Sequence, residues 1–175
     1  MPNLDITKST RHAKITGDFA EALVLYWLSK YGFECARVDH TGIDLIAQNP
    51  HAPEVMGISV KSRCRITGRE SAVVSIPADN FEKAEAACRA FGCVPYFAIV
   101  VDAANTIRGF ILPMARLRAL CPPTDRGCYW KMSPRFLYQC SQEAEVKFFD
   151  FQTRTTNWWA AVQTTATPSA TITTP

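Results

Sequence analysis

The segment Pro95-Tyr-Phe-Ala-Ile-Val-Val101 is an unbroken apolar run of strand length. A half-buried strand alternates apolar and polar residues. A run without alternation needs cover on both faces, which makes it a central strand. The chain must therefore supply strands on either side of it and layers above and below, an α/β arrangement. The run is far shorter than the ~18 residues that a membrane span needs, and no other apolar stretch reaches that length.

The rest of the chain supplies those parts. Phe19, Leu23, Tyr26 and Trp27 recur at helical spacing, and Gly32 is a good stop, so the spacing predicts a helix over 17–31 capped by Thr16 or Asp18. Strands follow over 33–39 and 43–47, joined by His40-Thr41-Gly42, and then over 55–63. In the second, Ile43, Leu45 and Ala47 share one face and Asp44 and Ile46 the other. In the third, Ile58 and Val60 oppose Gly57, Ser59, Lys61 and Arg63. A short strand over 72–76 precedes a helix striped by Phe81, Ala84, Ala87, Cys88 and Phe91 and ended by Gly92. Strands over 95–101 and 106–112, a short helix over 113–120 and an edge strand over 146–151 complete the pattern. Residues 124–140 show little periodicity, and their aromatics Tyr129, Trp130, Phe136 and Tyr138 read as cover for the core or as platforms for stacked bases. The chain divides into a flexible basic arm over 1–14, one domain over 15–160, with Trp158 and Trp159 packing back on it, and a disordered Thr/Ala/Pro tail over 161–175.

Seven cysteines, an odd number with no Cys-x-x-Cys pair, and the lack of a secretory leader predict reduced thiols in the cytoplasm. Zinc through Cys121, Cys128 and Cys140 is the weaker alternative to scattered thiols. His12, His40 and His51 read as surface residues. A net charge of +3 permits a nucleic-acid partner without demanding one.

Phosphodiester hydrolysis needs a divalent cation on oxygen ligands, and a second cationic group near the attacking water stabilises developing charge. Asp44 and Lys61 lie on strands close enough in sequence to pair antiparallel, and Glu21 lies on the preceding helix, where it can lean over the same sheet end. Each residue also has a bland reading. Glu21 suits a capping box behind Asp18, Asp44 a surface turn, and Lys61 the guarding of an edge strand. The joint pattern favours a site.

Gly17-Asp18-Phe19-Ala20-Glu21, Gly42-Ile43-Asp44-Leu45-Ile46 and Ile58-Ser59-Val60-Lys61-Ser62-Arg63 together resemble the PD-(D/E)XK nuclease superfamily, most nearly the archaeal Holliday junction resolvases and related small endonucleases. The resemblance spans about residues 15 to 65. It implies a restriction endonuclease-like mixed sheet flanked by helices, in the order α-β-β-β-α-β-β. It also implies a metal-dependent DNA endonuclease acting on duplex or branched DNA, and a homodimer. Glu21, Asp44 and the Val60 carbonyl would bind Mg²⁺ or Mn²⁺, and Lys61 would serve catalysis. Ser59 stands where that family has an acid, and a hydroxyl brings no charge to a cation. Three readings follow: the remaining ligands and water hold the metal; a migrated acid such as Glu70, Glu82 or Glu85 completes the site; or the fold binds DNA without cutting it.

Lys61, Arg63, Arg65 and Arg69 fall within nine residues that contain no acid. In an extended segment the first three share a face continuous with the site, which suits a phosphate backbone. Lys8, Arg11 and Lys14 can add to it.

Overall fold

A computed structural model describes residues 8–66 and 68–154. The elements are α1 (His12–Lys30), β1 (Glu34–His40), β2 (Ile43–Gln48), β3 (Val55–Cys64), β4 (Val74–Pro77), α2 (Ala78–Phe91), β5 (Val94–Ala103), β6 (Thr106–Pro113), α3 (Met114–Leu120), β7 (Gly127–Trp130), α4 (Pro134–Ser141) and β8 (Lys147–Gln152). Six strands form one mixed sheet in the order β1-β2-β3-β5-β6-β8. Only β3 and β5 run parallel, and α2 makes the crossover between them. β4 and β7 form a separate antiparallel ribbon.

The apolar run is indeed central. Phe97 to Val101 of β5 are all buried between β3 and β6. Ala98 and Val100 pack with Ala20, Val24 and Leu28 of α1, whereas Phe97, Ile99 and Val101 pack with α2, α3, α4 and the β4–β7 ribbon. Thus α1 covers one face, and α2, α3, α4 and the β4–β7 ribbon cover the other.

Three features depart from the sequence reading. First, α1 begins at His12 rather than near residue 17, because Asp18 pairs with Lys14 one turn back (2.9 Å) instead of capping. Glu21 is therefore interior to the helix, and a capping box no longer explains it. Second, Ile43 leaves the face of Leu45 and Ala47 and joins Ala87 and Cys88 of α2. The turn before it presses on that helix. Gly42 has φ +107°, and a Cβ there would overlap the Lys83 carbonyl, so only glycine fits. The β1–β2 register is also irregular between Arg37 and His40. Third, the aperiodic stretch 124–140 contains β7 and α4, with Trp130 and Phe136 buried in the core and Tyr138 exposed. These short elements carry too few residues for a period to show. The C-terminal tail and the pair Trp158-Trp159 lie outside the described residues.

Candidate functional site

The strand β3 changes character along its length. It pairs with β2 from Val55↔Gln48 to Ile58↔Leu45, and there that ladder ends. It continues alongside β5 as far as Cys64. Beyond Ile58 the β2-facing edge of β3 has lost its strand neighbour, and backbone groups on that edge need other partners.

Asp44 supplies one. Its Oδ2 accepts the Val60 N–H at 2.6 Å, which holds a half-buried carboxylate at the point where the two strands part. This explains an aspartate on a strand: it satisfies the amide that the shortened ladder leaves open. Lys61 lies next along β3, on the α2 side. Its Nζ donates to Ser59 Oγ at 3.0 Å and stands 6.0 Å from the centre of the Phe97 ring. Burial pulls the Lys61 pKa below its usual value, and the Asp44 charge opposes that pull. Glu21 overhangs from α1. Burial and then the Asp44 charge push its pKa up, against Arg37. Asp44 thus acts electrostatically on both Glu21 and Lys61, and the three residues share one neighbourhood.

Arg37 of β1 belongs to the same neighbourhood and was not anticipated. Its guanidinium donates to the Asp18 carbonyl at 2.9 Å and lies 3.5 Å from Glu21 Oε2. A basic residue on an exposed strand carries no sequence signal of its own. Only the crossing of α1 over β1 gives it a role.

Ser59 is buried, with 2% of its surface exposed, and the acids that the sequence offers in its place lie elsewhere, although the charge of Asp79, at the start of α2, reaches Lys61. Glu70 accepts the Gly68 N–H in its own loop, Glu85 pairs with Arg118 at 2.9 Å, and Glu82 is exposed on α2. Among the described residues, no three His, Cys, Asp or Glu side chains are placed to share a metal ion. That includes Cys121, Cys128 and Cys140. They are close enough that Cys128 and Cys140 enter a shared electrostatic neighbourhood with Cys121, but burial comes first and pushes Cys121 and Cys140 up to about 11. They behave as buried, inert thiols.

The basic run is not simply a row of open cations. Arg63 donates to the carbonyls of Ser62 (2.7 Å) and Ser75 (3.1 Å). Arg65 donates to those of Ala72 and Val73, the latter at 2.6 Å. Both guanidiniums therefore brace the segment that leads into β4, which leaves each with fewer donors for a ligand. Arg69 is exposed in that segment.

No family model matches the chain, and no curated protein does. Among solved structures it is similar to Hjc of Archaeoglobus fulgidus, a Holliday junction resolvase from an archaeal hyperthermophile, at 22% identity and a TM-score of 0.49. The match covers 66% of this chain and 88% of that one. The likeness is one of outline. No helix among the described residues is long and apolar enough to cross a membrane.

Proposed function

We propose that the protein is a metal-dependent DNA endonuclease whose active site is built on Glu21, Asp44 and Lys61. The observation that carries this reading is Asp44. It is locked by the Val60 amide where β2 and β3 part, with an acid above it and a lysine beside it.

The donor set suits Mg²⁺ or Mn²⁺. Magnesium is commonly held by one or two carboxylates, with water and substrate phosphate filling the other positions. Glu21 and Asp44 are two such carboxylates, and their mutual repulsion is what a cation between them relieves. The Val60 carbonyl is a further candidate ligand. A cation held there would supply polarisation of a phosphoryl oxygen and a lowered pKa for the attacking water. The protein's own contribution is positional. The Val60 N–H fixes the orientation of Asp44, Ser59 Oγ fixes Lys61, and the Lys61 ammonium stabilises charge developing on the phosphate. Arg63, Arg65 and Arg69 steer the DNA backbone with whatever donors their loop contacts leave free.

One observation favours a second reading, a nuclease-fold module that binds DNA without cutting it. The Lys61 ammonium donates to an uncharged hydroxyl, at the position where an acid would otherwise add a third carboxylate to the metal.

Supercoiled plasmid incubated with the full chain separates the two. Nicking that requires Mg²⁺ or Mn²⁺ and disappears in EDTA and in Asp44→Ala supports the enzyme. Binding that weakens with salt, with no strand breakage in either metal, supports the module.

A further inference from the structure

A cation stands on each side of the place where β2 and β3 part. Leu45 is the last residue of β2 paired with β3, through Ile58, and on its other edge it pairs with Arg37 of β1. Residues directly opposite in a ladder share a face of the sheet. Leu45 packs with α1, so Arg37 rises on the α1 side, level with the point where the strands separate. Lys61 stands on the α2 side, held by Ser59.

Two contacts of one nitrogen place Arg37. Its Nη2 donates to the Asp18 carbonyl at 2.9 Å and lies 3.5 Å from Glu21 Oε2. The carbonyl belongs to the backbone of α1, so the guanidinium is tied to the helix that carries Glu21. Lys14, the other cation whose charge reaches Glu21, is itself paired with Asp18 at 2.9 Å. Arg37 is therefore the ion-pair partner of Glu21. The two side chains are 49% and 30% exposed, so the pair is open to a ligand. Because both contacts use Nη2, the opposite edge of the planar fork, Nη1 and Nε, is geometrically suited to a phosphate.

The charges at the parting also balance. Two carboxylates, Glu21 and Asp44, face two cations, Arg37 and Lys61. A nearly neutral neighbourhood attracts a divalent cation weakly, and its entry leaves the site positive. A phosphate supplies the missing negative charge.

We propose that Arg37 is the resident counter-cation of Glu21, a positioning residue that holds this acid at the strand parting, keeps its affinity for a divalent cation low, and is neutralised by a DNA phosphate so that metal and substrate bind cooperatively. The metal and the DNA rest on the function proposed above, whereas the ion pair does not. Linkage makes the coupling reciprocal: DNA tightens the metal as much as the metal tightens DNA.

Two measurements on the full chain test it. In the first, Mn²⁺ binding is followed by the paramagnetic resonance signal of the free ion, for the wild type, Arg37→Gln, Arg37→Lys and Asp44→Asn. Arg37→Gln is expected to bind roughly three- to tenfold more tightly, with a gain that shrinks as salt rises, because a charge effect is screened. Arg37→Lys keeps the charge and should stay close to the wild type. A merely structural role would instead weaken binding in Arg37→Gln, with no response to salt. If Asp44→Asn weakens Mn²⁺ binding but Arg37→Gln binds no more tightly than the wild type, the counter-cation alone is overturned. Binding that Asp44→Asn leaves intact, or none in either the wild type or Arg37→Gln, overturns the function proposed above together with this inference. In the second, affinity for a duplex oligonucleotide is measured across a salt series in EDTA, which removes turnover. Arg37→Gln should bind about threefold more weakly with a salt slope lowered by about 0.9, and Arg37→Lys should keep the slope. An unchanged slope in Arg37→Gln would mean that no phosphate reaches the guanidinium, and would overturn the coupling to DNA.

Discussion

The two halves of β3 make an instructive pair. From Met56 to Ser59 the strand is buried and, up to Ile58, flanked by β2 on one edge and β5 on the other. From Val60 to Cys64 it keeps β5, loses β2, and carries Lys61, Ser62 and Arg63 in a partly exposed stretch. The first half is fixed by packing. A Cβ on Gly57 would come within 2.5 Å of Cys88 Sγ and 3.1 Å of Cys93 Cβ, so α2 lies directly on the strand there. The second half is fixed by polar contacts: Asp44 on the Val60 amide, Lys61 on Ser59, Arg63 on the Ser75 carbonyl. A single strand thus anchors in the core at one end and offers charged groups at the other. The change falls where a neighbouring strand stops.

The largest expected effect breaks the polar half alone. Asp44→Asn keeps the shape and removes the charge, so metal-dependent cleavage should fall about 10³-fold, as loss of several kcal/mol of transition-state stabilisation implies. The circular dichroism spectrum should be unchanged. If plasmid nicking in Mn²⁺ proceeds at the wild-type rate, the polar half is not an active site.

The packed half should answer in stability instead. Gly57→Ala pushes a methyl group against Cys88 and should cost about 1–3 kcal/mol in urea denaturation. Metal-dependent melting shifts should persist in the population that stays folded. Stability equal to wild type would mean that α2 and β3 can separate at no cost.

Ser59 stands at the junction of the halves, and Ser59→Asp sharpens the comparison. It places a carboxylate beside Lys61 and a third near any metal, and about a tenfold gain in Mg²⁺ affinity by calorimetry is expected, of the size ligand-shell changes bring. The substitution also loads a buried position with charge, so the variant should melt lower without metal and recover when Mg²⁺ is added. Destabilisation that metal does not relieve would favour the binding module.

The smallest effect concerns Glu21. Its pKa is raised by burial and by Asp44, so the native state binds a proton more tightly than the unfolded chain. By linkage its contribution is present at low pH and is lost as pH rises through the native pKa. Glu21→Gln should therefore melt higher than the wild type at pH 7, with the gap closing toward pH 4. Added Mg²⁺ should raise the melting temperature of the wild type more than that of the variant. A gap that widens on acidification would contradict the proposed electrostatics.

Much of this arrangement was legible in the chain. The apolar run 95–101 announced a central strand, because a strand without alternation has no face to give to water. The stripe on α2 is buried at Phe81, Ala84, Ala87 and Cys88 but not at Phe91, which is exposed in the last turn, and the helix stops at Gly92 as the periodicity puts it, the glycine being in the left-handed conformation at φ +67°. The start of α1 is not legible in sequence, because a polar residue before an apolar series suits a cap or an intrahelical ion pair equally well, and Asp18 pairs with Lys14. His12 read as a surface residue, since nothing local says that the chain ahead of α1 folds across β3.

Sequence alone determined which residue types lie on which elements: an acid on a helix, an acid and a lysine on neighbouring strands, and a serine where a carboxylate would be expected. Tertiary structure decided what they meet. Whether β2 and β3 stay paired or part, whether Arg37 reaches Glu21, and whether Arg63 and Arg65 face solvent or brace β4 depend on contacts between residues distant in the chain. The physical reason lies in what each kind of signal needs. Periodicity is a local property of backbone geometry, whereas a carboxylate's charge state and partners are set by burial and by neighbours that only packing assembles.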